Sequence, residues 1–487
     1  MSFIVARIER ILIAVLVAGT AGLAAYVALR GLRMPPFLAS PLVALLFVGG
    51  VSWLERRLPE TLDGVRRRRP WLSAAWLLLG LTAFGQTARM SAFMLDPGDA
   101  QHSLFPGDPW YVAHCCLTAY SESARLAKAG TGNLYEPAGY LDRKLESFNV
   151  DAYHYPPPFL LLPLAAQAAV GGSGAGGIDF LAVRELWFGA SALALLVAFG
   201  LLASRLEPEA RLRAIAASPA VWISIPVQLG LQMSNFQVMV VSISVLALVV
   251  FPRRAALGGA LLAMSVVSKI FPGILFVYLV ARRRWREAAW TVGFGALFSL
   301  LALALLGPEP FRWFLEYELP RLSSGEAFAR PFSRAFAVAH NMAPFGLPLK
   351  LAHLGVPRMT LKVGHAVSLV YGLCVVALAF WSARRPPRSF LEQASVWLAL
   401  LSLGTLVSPF APANYVLVSL VWLVCIDRDL FRPGTAAVVW LLTSLPFLLP
   451  REGPFLWRAI AYLPAQVLAI AVPGFVLWRA GRELRLT

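Results

Sequence analysis

The stretch that decides the fold is "LLAMSVVSKIFPGILFVYLVARRRWR", residues 261–286. It places one lysine, Lys269, in an otherwise apolar run and follows it with Pro272 and Gly273. Because proline cannot continue the helical hydrogen-bond ladder and glycine tolerates a turn, the run breaks directly after the lysine. An ammonium group in apolar surroundings is costly unless it faces protein, water or an anion. The stretch therefore raises the question of what its lysine faces.

The composition of the whole chain indicates a membrane protein. Of 487 residues, 58% are hydrophobic and 14% are charged, and the mean hydropathy is +0.67. Soluble domains average roughly 45–50% apolar and about 25% charged residues. Apolar runs such as 11–29 and 180–203 are long enough to cross a hydrocarbon layer about 30 Å thick. The sequence predicts an all-α, polytopic transmembrane helical bundle, because it lacks the short alternating segments of a membrane barrel.

The formal net charge of +17 does not indicate nucleic-acid binding. The basic residues lie in short clusters between apolar runs, at 66–69, 253–254, 282–286 and 384–385. This distribution is typical of the cytoplasmic loops of inserted helices. We therefore predict membrane lipids and no nucleic acid as partners.

Metal and disulfide chemistry have little support in the sequence. Four cysteines (Cys115, Cys116, Cys374 and Cys425) are too few and too scattered for a disulfide framework or a zinc site. No cluster of histidine and aspartate has the spacing of metal ligands. The sequence predicts no metal site and no cofactor, and it leaves a divalent-metal requirement open.

The hydropathy pattern predicts about 14 spans with both termini in the cytoplasm. The apolar segments are 8–29, 37–54, 71–89, 180–204, 212–230, 235–251, 255–268, 271–281, 288–306, 360–383, 390–407, 415–426, 435–449 and 459–478. We group them into an N-terminal transmembrane hairpin (1–70), a central module (71–426) and a C-terminal transmembrane hairpin (427–487).

The basic clusters decide the path of the opening stretch. If 255–281 were one span, the arginines at 253–254 and 282–286 would face opposite sides of the membrane, against the positive-inside rule. The chain must therefore double back at "SKIFPG", in halves of about 14 and 11 residues that reach only roughly 21 and 17 Å. Lys269 would lie at the tip of a short hairpin, recessed in the outer leaflet. A snorkelling lysine, one paired with an internal carboxylate, and one that binds a ligand phosphate all fit this position.

Two polar segments, 90–179 and 307–359, fall on the outer side and are predicted to contain interfacial helices. The amphipathic stretch 110–129 and the proline-led 153–170 are the clearest of these. Carboxylates, arginines, histidines and aromatic residues gather in the two segments. Since transporters usually place polar sites near the bilayer midplane within paired repeats, polar loops over a bundle favour a reaction at the outer surface.

The order of several motifs resembles a known family. Along the chain stand "GTGNLYEP" (130–137), "YHYPPPFLLLPLA" (153–165), "LGLQMSNFQ" (229–237), "SKIFPGILFVYLVARRRWR" (268–286), "HNMAPFG" (340–346) and "LVSPF" (406–410). Over roughly 71–426 the chain resembles the GT-C superfamily of membrane glycosyltransferases, and within it the polyprenyl-phosphate-mannose-dependent α-mannosyltransferase-like family of bacteria.

The resemblance implies an inverting sugar transfer at the outer face of the inner membrane. A mannose-like sugar would pass from a polyprenyl-phosphate donor to a lipid or glycan acceptor, with an aspartate of the first outer loop as general base. Asp108 fits the family's Asp-plus-aromatic pattern best, and Asp99 and Asp96 are rivals. Counting back from Tyr120, the family's aspartate would fall nearer Cys116, so this loop carries an insertion. Each of these aspartates also fits a loop acid or a helix N-cap.

The resemblance also implies binding residues for both substrates. Lys269 and His340 would bind the donor phosphate, because a departing phosphate needs fixed positive charge in a water-poor site. The positions that match the family's other substrate-binding motifs are His154, Tyr155, Gln232, Asn235 and Asn341.

A second class of protein would use the same lysine. A non-catalytic carrier or flippase for a polyprenyl-linked glycan also needs a phosphate-binding cation in the outer leaflet. It has no need of a carboxylate base, whereas proton removal from a hydroxyl nucleophile requires one.

Overall fold

The computed structural model describes residues 2–57, 70–130, 132–171, 179–427, 430, 433–449 and 453–482. The protein is 78% helical, which confirms the all-α prediction. Within the described residues the sheet structure is one antiparallel pair, β1 (Lys144–Leu145) and β2 (Phe148–Asn149). The basic cluster at 66–69 lies outside the described residues, as does 172–178 of the predicted first outer segment.

The helices of the N-terminal half are α1 (Ser2–Gly31), α2 (Pro36–Arg57), α3 (Pro70–Leu95), α4 (Pro109–Ala113), α5 (Leu117–Ala129), α6 (Leu161–Val170), α7 (Phe180–Arg205), α8 (Pro208–Ile223), α9 (Ile225–Gln232) and α10 (Phe236–Val250). Short 3-10 helices lie at Ala100–His102, Pro137–Gly139 and Pro157–Leu160.

The helices that follow are α11 (Ala255–Ser268), α12 (Gly273–Ala281), α13 (Trp285–Leu306), α14 (Glu309–Trp313), α15 (Leu319–Ser324), α16 (Ala329–Phe332), α17 (Ala335–His340), α18 (Gly346–His353), α19 (Leu361–Ala383), α20 (Phe390–Thr405), α21 (Ala413–Ile426), α22 (Pro433–Leu448) and α23 (Phe455–Gly481). A π-helical turn covers Phe314–Glu318, and a 3-10 turn covers Glu326–Phe328.

Every predicted span coincides with helical structure. Fewer helices than the predicted 14, however, are long and apolar enough to cross a membrane. Six helices of the described residues qualify as candidate spans: α1, α2, α7, α13, α19 and α23. Helices α8 and α9 form a seventh candidate that is bent by 54°. The prediction of about 14 spans is therefore not confirmed. A prediction from hydropathy also counts apolar helices of 14 or 15 residues, such as α10 and α11, which fall short of the bilayer.

The chain doubles back between α11 and α13, as the arginine pattern predicts. A Cβ atom at Gly259 would lie 2.5 Å from Trp290 Cβ, and one at Gly295 would lie 3.8 Å from Val267 Cγ1. Helices α11 and α13 thus run in the same direction, so the intervening residues must return to the starting end. There the Arg284 guanidinium lies 5.9 Å from the ring centroid of Phe251, two residues before the basic cluster at 253–254. The interpretation of 255–281 as a single straight rod is excluded.

The described chain forms two compact units. The first comprises Met1–Ala124, Tyr140–Asp151 and Leu161–Met239. Its helices α1 and α7 pack closely, because a Cβ atom at Gly189 would lie 2.5 Å from the Ala24 carbonyl oxygen. Arg184 of α7 is fully buried in this unit, donates to the Phe93 carbonyl at 3.2 Å and stacks against the Phe148 ring.

The second unit comprises Arg125–Gly139, Ala152–Leu160 and Val240–Thr487. Its core lies along α20 and α21, where Trp397 and Trp422 are fully buried. The indole of Trp397 donates to the Ser244 carbonyl at 2.9 Å, which ties α20 to α10. The predicted hairpins 1–70 and 427–487 are not separate units in this division, and their status as domains stays a prediction.

The close approach of α11 and α13 gives a first testable expectation. Gly259→Ala should destabilise the protein by about 1–3 kcal/mol, because the added methyl overlaps the backbone and Cβ of Trp290. Thermal unfolding in detergent measures this loss. The control is Gly293→Ala on α13, where no atom lies within 4 Å of the added Cβ. Equal melting temperatures for the two variants would contradict the packing described.

Candidate functional site

The hairpin tip carries a polar cluster in the second unit, formed by Lys269, Tyr155, His154, Glu318 and Arg321. Helix α11 ends at Ser268, and Lys269 follows in extended conformation. The 3-10 turn Pro157–Leu160 packs on α11 and α13, and its prolines fix the backbone that leads into it. The Lys269 ammonium consequently lies 5.4 Å from the centroid of the Tyr155 ring, within cation–π range.

Glu318 is the buried carboxylate of this hairpin-tip cluster. Its side chain is 0% exposed, and His154 Nδ1 lies 2.7 Å from Oε1. Arg321 pairs with the other oxygen, Oε2, at 3.4 Å. The carboxylate contacts Nδ1 and leaves Nε2 for another partner, and the His154 side chain is 22% exposed. Glu318 ends the π-helical turn Phe314–Glu318, a conformation frequent at functional sites.

Aromatic side chains surround the same cluster. The Tyr135 hydroxyl donates to the Tyr155 carbonyl at 3.0 Å, and the Tyr155 ring stacks on Phe159 at 4.7 Å between centroids. The Tyr317 hydroxyl donates to Glu136 at 2.8 Å. Partial burial, together with this bond to a carboxylate, raises the pKa of Tyr317 above its usual value. The cluster thus combines cations, a buried acid and flat apolar faces.

His340 and Asn341 lie elsewhere in the second unit and contact protein groups. His340 Nε2 lies 3.3 Å from Asn414 Oδ1, and its ring stacks on Phe336. Asn341 is fully buried, donates to the Pro409 carbonyl at 2.9 Å and accepts from the Ala411 amide at 2.9 Å. Asn341 therefore ties "HNMAPFG" to the end of "LVSPF" and to the residue that follows it.

Lys350 is a buried cation near these motifs. Its ammonium donates to Gln466 Oε1 at 3.0 Å, and Gln466 Nε2 donates to the Met342 carbonyl at 2.8 Å. Burial lowers the pKa of Lys350 from 10.5 to about 8.

The lowered pKa of Lys350 makes stability depend on pH. Between pH 8 and 10.5 the unfolded chain keeps a proton that the folded chain has lost, so stability rises with pH across this window. Below pH 8 the penalty is fully present, at about 3 kcal/mol. Lys350→Met should therefore raise the melting temperature at pH 7 and remove its increase between pH 8 and 10.5. Melting curves from pH 7 to 10 test this, with the exposed Lys362→Met as control. An unchanged pH slope in Lys350→Met would contradict it.

The three predicted aspartates of the first outer segment lie in the first unit, and each caps a local turn. Asp108 Oδ1 accepts from the Trp110 amide at 2.9 Å at the start of α4. Asp99 accepts from the Gln101 amide at 3.0 Å, and Asp96 accepts from the Gly98 amide at 3.1 Å. Asp99 and Asp96 are exposed, and Asp108 is half-buried. Asp108 and Asp99 thus act as N-caps, Asp99 also lies 3.1 Å from His102 Nδ1, and the catalytic role of all three aspartates stays a prediction.

Gln232 and Asn235 also lie in the first unit and are buried at the end of α9. Gln232 Nε2 donates to Ser103 Oγ at 3.0 Å and to the Tyr111 carbonyl at 3.1 Å. Asn235 Nδ2 donates to Cys116 Sγ at 3.1 Å. The two amides hold the segment 103–116 against α9, so the "LQMSN" motif acts here as an anchor for that segment.

Sequence reasoning missed a group of three side chains in the first unit, which we call the Cys116 cluster. His114 Nε2 lies 3.7 Å from Cys116 Sγ, and His114 Nδ1 lies 3.5 Å from Asp151 Oδ2. The neighbouring Cys115 is separate: it is fully buried, and burial raises the pKa of its thiol. The sequence "HCC" (114–116) shows two of the three side chains close together. Asp151 lies 35 positions beyond Cys116, and no motif links the two.

The fold and the hairpin-tip cluster define a class: a helical membrane protein with a polar cluster beside a short helical hairpin that reverses after Lys269. The family model of glycosyltransferase family 87 matches residues 153–409, just over half of the chain. The chain belongs to glycosyltransferase family 87. Searches among curated proteins and among solved structures found no match. The matched range contains the hairpin-tip cluster, His340 and Asn341, whereas the three aspartates precede it.

Proposed function

We propose that the protein transfers a mannose-like sugar from a polyprenyl-phosphate donor to a lipid or glycan acceptor at the outer face of the inner membrane. The family supplies the reaction class, and the hairpin-tip cluster is the single observation that supports this donor. An ammonium group at the end of a re-entrant hairpin can reach a phosphate whose prenyl chain lies in lipid. A water-soluble nucleotide-sugar donor would have no need of a cation at that position.

Lys269 is proposed to bind the donor phosphate. When the sugar–phosphate bond breaks, negative charge accumulates on the departing phosphate. A fixed cation in a water-poor site stabilises that charge far more than it would in water. The Tyr155 ring contacts the ammonium by a cation–π interaction, which helps to orient the ammonium at the tip of the hairpin.

His154 is proposed to bind the sugar or its phosphate, oriented by Glu318. The carboxylate holds Nδ1, which leaves Nε2 for a substrate hydroxyl or phosphate oxygen. The rings of Tyr135, Tyr155 and Phe159 offer flat apolar surfaces on which a sugar face can stack. His340, Asn341, Gln232 and Asn235 stay proposed binding residues on the resemblance alone.

The general base is proposed to be an aspartate of the first outer segment. Asp108 is the first choice, and Asp99 and Asp96 are the alternatives. An aspartate within hydrogen-bond reach of the acceptor hydroxyl would take its proton as the hydroxyl attacks the anomeric carbon. The phosphate leaves from the opposite face, so the configuration of the sugar inverts.

The experiment that tests this function is a transfer assay on the full chain in liposomes. A radiolabelled polyprenyl-phosphate mannose is supplied with a membrane lipid extract as acceptor, and the label is followed into products. We expect label to leave the donor only when the protein is present, with the sugar in the inverted configuration. Movement of intact donor between leaflets without any transfer would support the carrier instead and overturn the proposal.

A further inference from the structure

The Cys116 cluster lies in the first unit, shares no residue with the hairpin-tip cluster and has different chemistry. It brings an imidazole, a thiol and a carboxylate together from two segments of the first unit. One ligand atom from each of His114, Cys116 and Asp151 can be chosen so that all three lie within 4.8 Å of one another. We propose that these three residues form a binding site for a zinc ion.

The distances fit that ion. At Zn–N of about 2.0–2.1 Å and Zn–S of about 2.3 Å, tetrahedral ligands lie roughly 3.5 Å apart. The observed separation of His114 Nε2 and Cys116 Sγ is 3.7 Å. The carboxylate of Asp151 is 37% exposed and lies 3.5 Å from the other ring nitrogen of His114, Nδ1, and the three ligand groups come within 4.8 Å of one another. The Cys116 sulfur and the His114 nitrogen are thus already at a distance that suits two ligands of one zinc ion.

The backbone around the cluster is fixed by hydrogen bonds. The Cys116 amide donates to the Met233 carbonyl at 2.8 Å. Thr118 Oγ1 donates to the Asn149 carbonyl at 3.1 Å and accepts from the Asp151 amide at 3.3 Å. Asp151 is therefore held beside Cys116 although the sequence separates them widely. Such a site is preorganised for an ion, since binding requires little movement of the chain.

The surroundings of the ligands match those of metal-bound residues. Asn235 Nδ2 donates to Cys116 Sγ at 3.1 Å, a contact that stabilises a thiolate. The ring of His114 stacks on Trp110 at 4.2 Å between centroids, which limits its rotation. The adjacent Cys115 is fully buried and is not one of the three ligand groups. The site is thus specific to one cysteine of the adjacent pair.

The donor set selects the metal. A thiolate and an imidazole favour zinc, whereas magnesium, calcium and manganese prefer oxygen ligands. Cys116 is 6% exposed and the His114 side chain is 13% exposed, so the sulfur and nitrogen are shielded, whereas the Asp151 side chain is 37% exposed. Three protein ligands leave the fourth tetrahedral position for water or another molecule, as in catalytic zinc sites and unlike structural sites with four protein ligands.

Metal analysis of the full chain purified in detergent without chelator tests the proposal. We expect about one zinc per chain in the wild type, and less than about 0.2 in Cys116→Ser and in His114→Ala, because each loses a ligand. The matched control is Cys374→Ser, an exposed cysteine on α19, which should keep the wild-type zinc content. A wild type without zinc, or zinc that persists in both cluster variants, would overturn the site.

A thiol-labelling measurement on the wild type avoids any dependence on variant folding. After chelation, maleimide should modify Cys116 faster than in the zinc-loaded protein. Replacing zinc with Co²⁺ should add a thiolate-to-cobalt charge-transfer band that manganese does not produce. Equal labelling of Cys116 in both states would contradict the proposal. Both readouts are independent of sugar transfer, so a failure of the proposed function would leave them unaffected.

Discussion

Lys269→Met will weaken use of the polyprenyl-phosphate donor about 10- to 150-fold in kcat/KM, because a charge-assisted bond to the phosphate contributes about 1.5–3 kcal/mol. Methionine is chosen because it keeps the length and apolar stem of lysine and removes only the charge. Since the phosphate gains negative charge as it departs, part of the loss should appear in kcat as well as in KM.

The measurement is initial-rate kinetics over a range of donor concentrations with protein in liposomes. The control is Lys362→Met, an exposed lysine near the start of α19 that lies outside the hairpin-tip cluster. Both variants should melt near the wild-type temperature, because Lys269 is only partly buried. Unchanged donor dependence in Lys269→Met would rule out the phosphate role.

Asp108→Asn should lower sugar transfer by a factor of about 100 to 10,000, the usual contribution of a general base. The variant separates catalysis from folding. Asparagine is as good an N-cap as aspartate, so its side-chain oxygen can still accept from the Trp110 amide at the start of α4. A loss of activity without a loss of melting temperature therefore identifies a catalytic carboxylate.

Asp99→Asn and Asp96→Asn are the matched comparisons, because each also keeps an acceptor for its local turn. We expect only one of the three variants to lose transfer, and Asp108→Asn first. If Asp99→Asn or Asp96→Asn alone is inactive, the base is reassigned within the same segment. Wild-type turnover in all three variants would contradict a base in this segment.

The reversal of the chain at Lys269 could be predicted from the sequence because its cause is local. Pro272 and Gly273 stop the helix, and the two arginine clusters report which ends lie together. The positions of the helices could also be predicted, because the hydropathy of a segment depends only on its own residues. The number of spans was less accessible, since hydropathy cannot distinguish a helix that crosses the bilayer from a short apolar helix inside the bundle.

The pairing of His154 with Glu318 could not be predicted, because 164 positions separate them and neither motif specifies the other. Glu318 lies among several carboxylates of the segment 307–359, and only the fold shows that it is the fully buried one. The Cys116 cluster could not be predicted either, because Asp151 is distant in sequence from His114 and Cys116. Capping by Asp108 could be predicted, since an aspartate directly before a helix that begins with proline can accept from the amide two residues further on.

The central claim is that the reversal places the Lys269 ammonium at the phosphate of a lipid-linked donor. The most direct measurement is an experimental structure of the full chain with a bound polyprenyl phosphate. We expect a phosphate oxygen at about 2.7–3.2 Å from Lys269 Nζ, with the prenyl chain leading away into lipid. Phosphate density held by other side chains, with no contact to Lys269, would contradict the claim.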